Sequence, residues 1–90
     1  MKKTLENYRE EIDIIDEDLL EVLAKRFAVV REVGKLKKEK NIQPLDEKRW
    51  KIVLERVKTK AKKHFLSEKF IEKIYEEIHQ EALIIEKENE

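Results

Sequence analysis

Two cations interrupt an apolar helical stripe. In "VLAKRFAVVREVGKLK", residues 22–37, Arg26 falls where the run of Val and Leu leads one to expect another apolar side chain. Arg26 and Lys37 are eleven residues apart. At about 100° per residue they differ by about 20° around a helix axis, so they share a face. About 16 Å of rise separates them, a gap that two long side chains converging on one point can close. Such a pair suits a small anion held between its heads; the plainer use of the same pattern is two heads snorkelling to solvent. Arg9 lies about 25 Å along the axis from Arg26, beyond the span of two side chains at one small ligand. If both serve one site, Arg9 comes from a second, antiparallel copy, which makes an intertwined homodimer with two shared sites.

The other polar residues are less distinctive taken singly. Asp46 and Arg49, three apart, suit a helix cap with a local salt bridge worth a few tenths of a kcal/mol. His79, Ala82 and Glu86 lie on adjacent turns of one face; taken alone, Glu86 beside the tail "EKENE" reads as solvated. His64 and His79 lack a Cys or carboxylate arrangement specific enough for zinc, so no metal is expected. There is no Gly-rich phosphate loop, nucleophile elbow or Ser/His/Asp set.

The elements that must position these groups are helical. Leu5, Tyr8, Ile12, Ile15, Leu19, Val22, Val29, Val33 and Leu36 recur three and four apart, broken once, at Arg26. That periodicity predicts one helix from about Thr4 to about Lys40. Two shorter helices of the same chain cannot cover it, so part of its apolar face must meet another protomer. Gly34 inside it costs about 1 kcal/mol relative to Ala; it either permits close backbone approach or is merely tolerated. Pro44 removes a donor and pushes Gln43 out of helical geometry, which makes residues 41–45 a loop. Asp46 then caps a second helix with Val53, Val57 and Ala61 inward, beside Trp50 and Leu54, ending near Lys63. Ser67 caps a third, with Leu66 and Ile71 at hydrophobic-staple positions. Phe70, Ile74, Tyr75, Ile78, Ala82 and Ile85 carry its stripe, and the last five residues are expected to fray.

Composition agrees. Charged residues make up 47% of the 90, with one Gly and one Pro, a balance for long amphipathic helices and against a sheet protein. One small domain, residues 1–90, is expected, too short to bury much surface alone. Cysteine is absent, which excludes disulfides and thiol chemistry. No apolar run approaches the roughly 20 residues that span a bilayer, and no signal-peptide pattern opens the chain, so a cytoplasmic location and no membrane partner are expected. The net charge is zero but sorted: residues 25–65 hold 15 bases against 5 acids, while 1–24 and 66–90 each hold 8 acids against 3 bases. A basic centre between acidic ends points to a small polyanion or a nucleic acid backbone, unless partner helices simply neutralise one another.

The ordered set says more than its members. "YREEIDIIDEDLLEVLAKRFAVVREVGKLK", a loop, "PLDEKR" and a third helix ending in an inward polar residue resemble the all-helical chorismate mutases, which convert chorismate to prephenate on the route to phenylalanine and tyrosine. The similarity covers roughly residues 5–87. Its most specific pieces are R-x-x-I-D-x-I-D from Arg9 to Asp16, "LAKR" at 23–26, "VGKLK" at 33–37 and D-x-x-R at 46–49. The resemblance implies an all-α interlocked dimer of three-helix chains, one helix long and two shorter. It implies that Arg9 crosses into the partner's site, that Arg26 grips a substrate carboxylate in its own chain, and that Lys37 meets the ether oxygen. Asp46 and Arg49 match the motif lining the site, and Glu86 the last-helix residue facing the ether oxygen. Trp50 departs from the family's usual Glu, which helps hold the substrate hydroxyl; Ala82 stands where some members have Ser, and Glu86 where some have Gln.

What the resemblance implies is chemically coherent. The reaction is a unimolecular pericyclic rearrangement that needs no cofactor or metal, so a protein contributes conformation and charge. Two substrate carboxylates suit two arginines. An ammonium at the ether oxygen stabilises the transition state above the ground state. For Glu86 to donate there it must carry a proton, against the pull of nearby Lys37. The rival expectations are a nucleic-acid-binding module, for which no aromatic-basic interleaving speaks, and a dimerisation domain without catalysis.

Overall fold

The computed structural model describes residues 2–88 and contains three helices: α1 Leu5–Glu39, α2 Glu47–Lys63 and α3 Glu68–Lys87. Each begins at a side chain that satisfies a free backbone donor. Thr4 accepts from Asn7 N at 3.2 Å while the Asn7 side chain accepts from Thr4 N, a reciprocal capping box. Asp46 Oδ1 accepts from Arg49 N at 3.0 Å, and Ser67 Oγ from Phe70 N at 3.2 Å. The recorded bond between Asp46 and Arg49 is therefore the cap; no side-chain ion pair joins them.

Both helix-to-helix turns close in the same way. After α1, Ile42 N donates to Lys37 O and Asn41 N to Lys38 O, with Asn41 at φ 56°. After α2, Leu66 N donates to Ala61 O and Phe65 N to Lys62 O, with Phe65 at φ 58°. These are Schellman motifs, whose left-handed residue is usually Gly and sometimes Asn. Asn41 fits that rule and Phe65 does not. A Cβ in this region costs about 1–2 kcal/mol, and the Phe65 side chain is 98% exposed, so no packing within the chain offsets it. Glycine returns about 0.5–1 kcal/mol of that through its own unfolded-state entropy. Phe65→Gly is accordingly expected to stabilise the fold by about 0.5–1 kcal/mol, seen as a higher urea midpoint at unchanged slope.

Helix α3 packs against both α1 and α2. The core is small: its buried apolar side chains are Val53, Val57 and Ala61 on α2 and Ala82 and Ile85 on α3. In α1 the buried residue is Gly34, which favours close backbone approach over mere tolerance. Glu86 is also buried, 8% exposed. The solvated reading of Glu86 taken alone thus fails, because α3 runs on through Lys87 and carries Glu86 under cover. Asn89 and Glu90, the end of the segment expected to fray, lie outside the described residues.

The chain alone is elongated, about 60 × 24 × 15 Å with a radius of gyration of 16.8 Å; a compact domain of this length has about 12 Å. The cause is α1, 35 residues and so about 52 Å long. Residues 2–22 are exposed throughout. Leu5, Tyr8, Ile12, Ile15, Leu19 and Val22 each keep more than half of their surface uncovered. The apolar stripe found by periodicity is present, and its N-terminal half faces nothing in its own chain.

Candidate active site

Between the C-terminal half of α1 and helices α2 and α3, a cavity of about 450 Å³ opens, within the usual range for small-molecule sites. Its polar lining includes Arg26 and Lys37 from α1, Asp46, Arg49 and Arg56 at and after the start of α2, and His79 and Glu86 from α3; Val33, Val53 and Ala82 supply apolar wall. Helical spacing explains the convergence. Arg26, Val33 and Lys37 are seven and four apart on α1, and His79, Ala82 and Glu86 three and four apart on α3, so each set forms one stripe.

Lys37 is held from two sides. Its Nζ donates to the carbonyl of Pro44 and stands 2.8 Å from Glu86 Oε1. Pro44 lacks an N–H, but its buried carbonyl directs the ammonium. The approach to Glu86 is a close ion contact outside hydrogen-bonding directions, since Oε1 has no directed donor. A third acceptor therefore still fits at the lysine. Arg26 is steered by Tyr75, whose ring centroid lies 6.0 Å from Cζ, at cation–π distance. Its Nη1 is buried without a hydrogen-bond partner. A buried guanidinium N–H left unmatched is costly unless an acceptor arrives, so the site is built for an anion. Four cations against the carboxylates of Asp46 and Glu86 give the lining a formal charge of +2, with His79 neutral.

His79 is neutral near pH 7. Burial lowers its pKa below the ordinary histidine value; Glu86 pulls it up, and Arg26 and Lys37 push it further down. Its ring stacks on Trp50, centroids 4.1 Å apart and planes 6° from parallel. Among the described residues no group of three His, Cys, Asp or Glu side chains stands together as a metal site, and no helix is long and apolar enough to cross a membrane.

Five of the six residues singled out in the sequence, Arg26, Lys37, Asp46, Arg49 and Glu86, line this one cavity. Arg9 does not; it is exposed on the uncovered half of α1. Sequence reasoning passed over Arg56, His79 and Tyr75 as site residues. Position marked two of them, since Tyr75 and His79 share the α3 stripe with Glu86 at spacings of four and seven.

Comparison with known proteins places nearly the whole chain beside known sequences. The chain is 34% identical over 87 residues to the bifunctional chorismate mutase/prephenate dehydratase of Buchnera aphidicola subsp. Schizaphis graminum, covering 96% of this chain and 22% of that protein. It is 29% identical over 87 residues to the protein of the same name from Buchnera aphidicola subsp. Baizongia pistaciae, covering 97% of this chain and 24% of that one. The chain thus spans less than a quarter of the length of either relative. The family pattern of chorismate mutase type II matches residues 8–87, taking in the cavity lining from Arg26 to Glu86, and the chain belongs to that family.

Proposed function

We propose that residues 1–90 act as one chorismate mutase unit, an isomerase that rearranges chorismate to prephenate in the cytoplasm, working as an intertwined homodimer with shared sites. The observation that carries this reading is the buried, unpartnered Nη1 of Arg26, a residue that lines a +2 cavity together with Lys37. Chorismate is a small dianion, and its rearrangement asks of a protein only a folded conformation and fixed charge.

Arg26 pairs with one substrate carboxylate, and Arg49, beside the Asp46 cap, contributes to the field that holds the other. Lys37 donates to the ether oxygen as its C–O bond breaks and negative charge collects there. Glu86 and the Pro44 carbonyl hold that ammonium in position before the substrate arrives, so the transition state need not reorganise it. The folded diaxial-like conformation that brings the two carbon termini together is selected by the cavity walls.

The second carboxylate takes its arginine from the other copy. The exposed stripe from Leu5 to Val22 supports this reading. Covering what six half-exposed apolar side chains still show is worth about 1 kcal/mol each, enough to favour a second copy over water. An antiparallel α1 laid on that stripe brings its Arg9 toward the Arg26–Lys37 cavity, closing the roughly 25 Å that separates the two arginines along one helix.

The test is loss of chorismate ultraviolet absorbance with purified protein in the presence of a chelator, with prephenate as product. Saturable turnover far above the uncatalysed rate is expected. Background-rate decay, with steeply salt-dependent retention on DNA or RNA, would support the nucleic-acid reading of the basic centre.

A further inference from the structure

Beyond its charged set the cavity has one side chain that can both donate and accept hydrogen bonds, His79. Its four cations can only donate hydrogen bonds. Chorismate also carries a ring hydroxyl, whose proton needs an acceptor once water is excluded. The two carboxylates of the lining can only accept: Asp46 Oδ1 takes the backbone N–H of Arg49, and Glu86 Oε1 lies against Lys37 without a directed donor. His79 differs in kind. A neutral imidazole offers one donor and one acceptor nitrogen, which matches a hydroxyl's own donor and acceptor.

Trp50 fixes the plane in which those nitrogens point. The near-parallel stack at 4.1 Å restricts rotation of the imidazole about its Cβ–Cγ bond, and its contact area is independent of any ligand. Both rings also line a second, smaller cavity with Glu76, Glu77 and Gln80, so the stacked pair borders both spaces.

We infer that His79, held in plane by Trp50, is the specificity-determining residue that recognises the ring hydroxyl of the substrate. This rests on the mutase reading above and deepens it. Trp50 acts as a positioning residue. The hydroxyl does not react, so the contact is equal in ground and transition states and is expressed in KM.

The experiment compares chorismate with the same ether dicarboxylate lacking its hydroxyl, using wild type, His79→Phe, His79→Gln and Trp50→Leu. Wild type is expected to favour chorismate by about tenfold in KM, the upper range for a neutral hydrogen bond. His79→Phe keeps a stacking ring but no acceptor, so it should raise the chorismate KM by about tenfold and leave that of the deoxy compound in place. His79→Gln should recover part of the preference, and Trp50→Leu should lose it although His79 is intact. Equal losses on both substrates, or an undiminished preference in His79→Phe, would overturn the assignment. A wild type that turns over neither compound defeats the mutase reading itself, a distinct outcome. A second readout needs no variant. The chain has two histidines, so the nitrogen-15 shifts of the His79 ring can be followed on adding an inert dicarboxylate mimic with and without the hydroxyl. A shift only with the hydroxylated mimic is expected, and identical responses to both would contradict the inference.

Discussion

Lys37→Ala is expected to lower kcat by about 10²- to 10³-fold, the usual cost of removing one preorganised donor from a site of developing negative charge. The expectation follows from how the lysine is held. Its ammonium sits between the Pro44 carbonyl and Glu86 Oε1, so its position is set before the substrate enters. Charge on the ether oxygen is small in the ground state and larger as the bond breaks, so the interaction is mostly a transition-state one. The loss should therefore fall on kcat and kcat/KM together, with KM changed much less. Lys37→Arg keeps the charge and should recover only part of the rate, because a planar guanidinium cannot take the compact position of an ammonium. Steady-state kinetics on the three proteins makes the check. A Lys37→Ala enzyme with wild-type kcat and a raised KM would make the lysine a simple binding group.

Arg9→Ala and Arg26→Ala should each lose about 10²-fold or more in kcat/KM, since each leaves a substrate carboxylate without its partner in a partly desolvated site. The larger effect is their recovery when mixed. In a heterodimer of the two variants, one site has its own Arg26 and receives Arg9 from the other chain, while the second site lacks both. Random 1:1 reassortment makes half the dimers mixed, each with one intact site of two, so about a quarter of wild-type activity per chain should return. The basis is the position of Arg9, exposed on the part of α1 that its own chain does not cover. Activity that stays at the level of the separate variants after demonstrated subunit exchange would place both arginines in one chain's site, or Arg9 in none.

Much of the fold was legible because its determinants are local. Thr4, Asp46 and Ser67 accept from backbone donors three residues on, and Pro44 disqualifies its own segment from helix. Each of these can be recognised within a window of a few residues. The inward faces of α2 followed from spacing alone, and Val53, Val57 and Ala61 are indeed buried. Phe70 was assigned to the α3 stripe by the same reasoning but is largely exposed in the single chain, while Ile71 beside it, on the neighbouring face, is half-buried.

The site was legible less evenly. Arg26 announced itself by interrupting a stripe, and helix length alone separated Arg9 from it. Glu86 was misleading by itself, because burial near a chain end depends on how far α3 continues and on where Lys37 reaches. The Trp50–His79 stack had no local signature at all: its rings stand 29 residues apart in sequence, on α2 and α3. Only the packing of those helices brings the two together, and no periodicity in either helix encodes the pairing. The same holds for Tyr75 under Arg26.

The most direct measurement is a calorimetric titration of the protein with a stable oxabicyclic dicarboxylate shaped like the transition state, run alongside sedimentation equilibrium. One ligand per chain, two on a sedimenting dimer, is predicted, with binding to Arg26→Ala weakened by at least about 10²-fold. Wild-type binding by Arg26→Ala, or tight binding by a chain that sediments as a monomer, would contradict it.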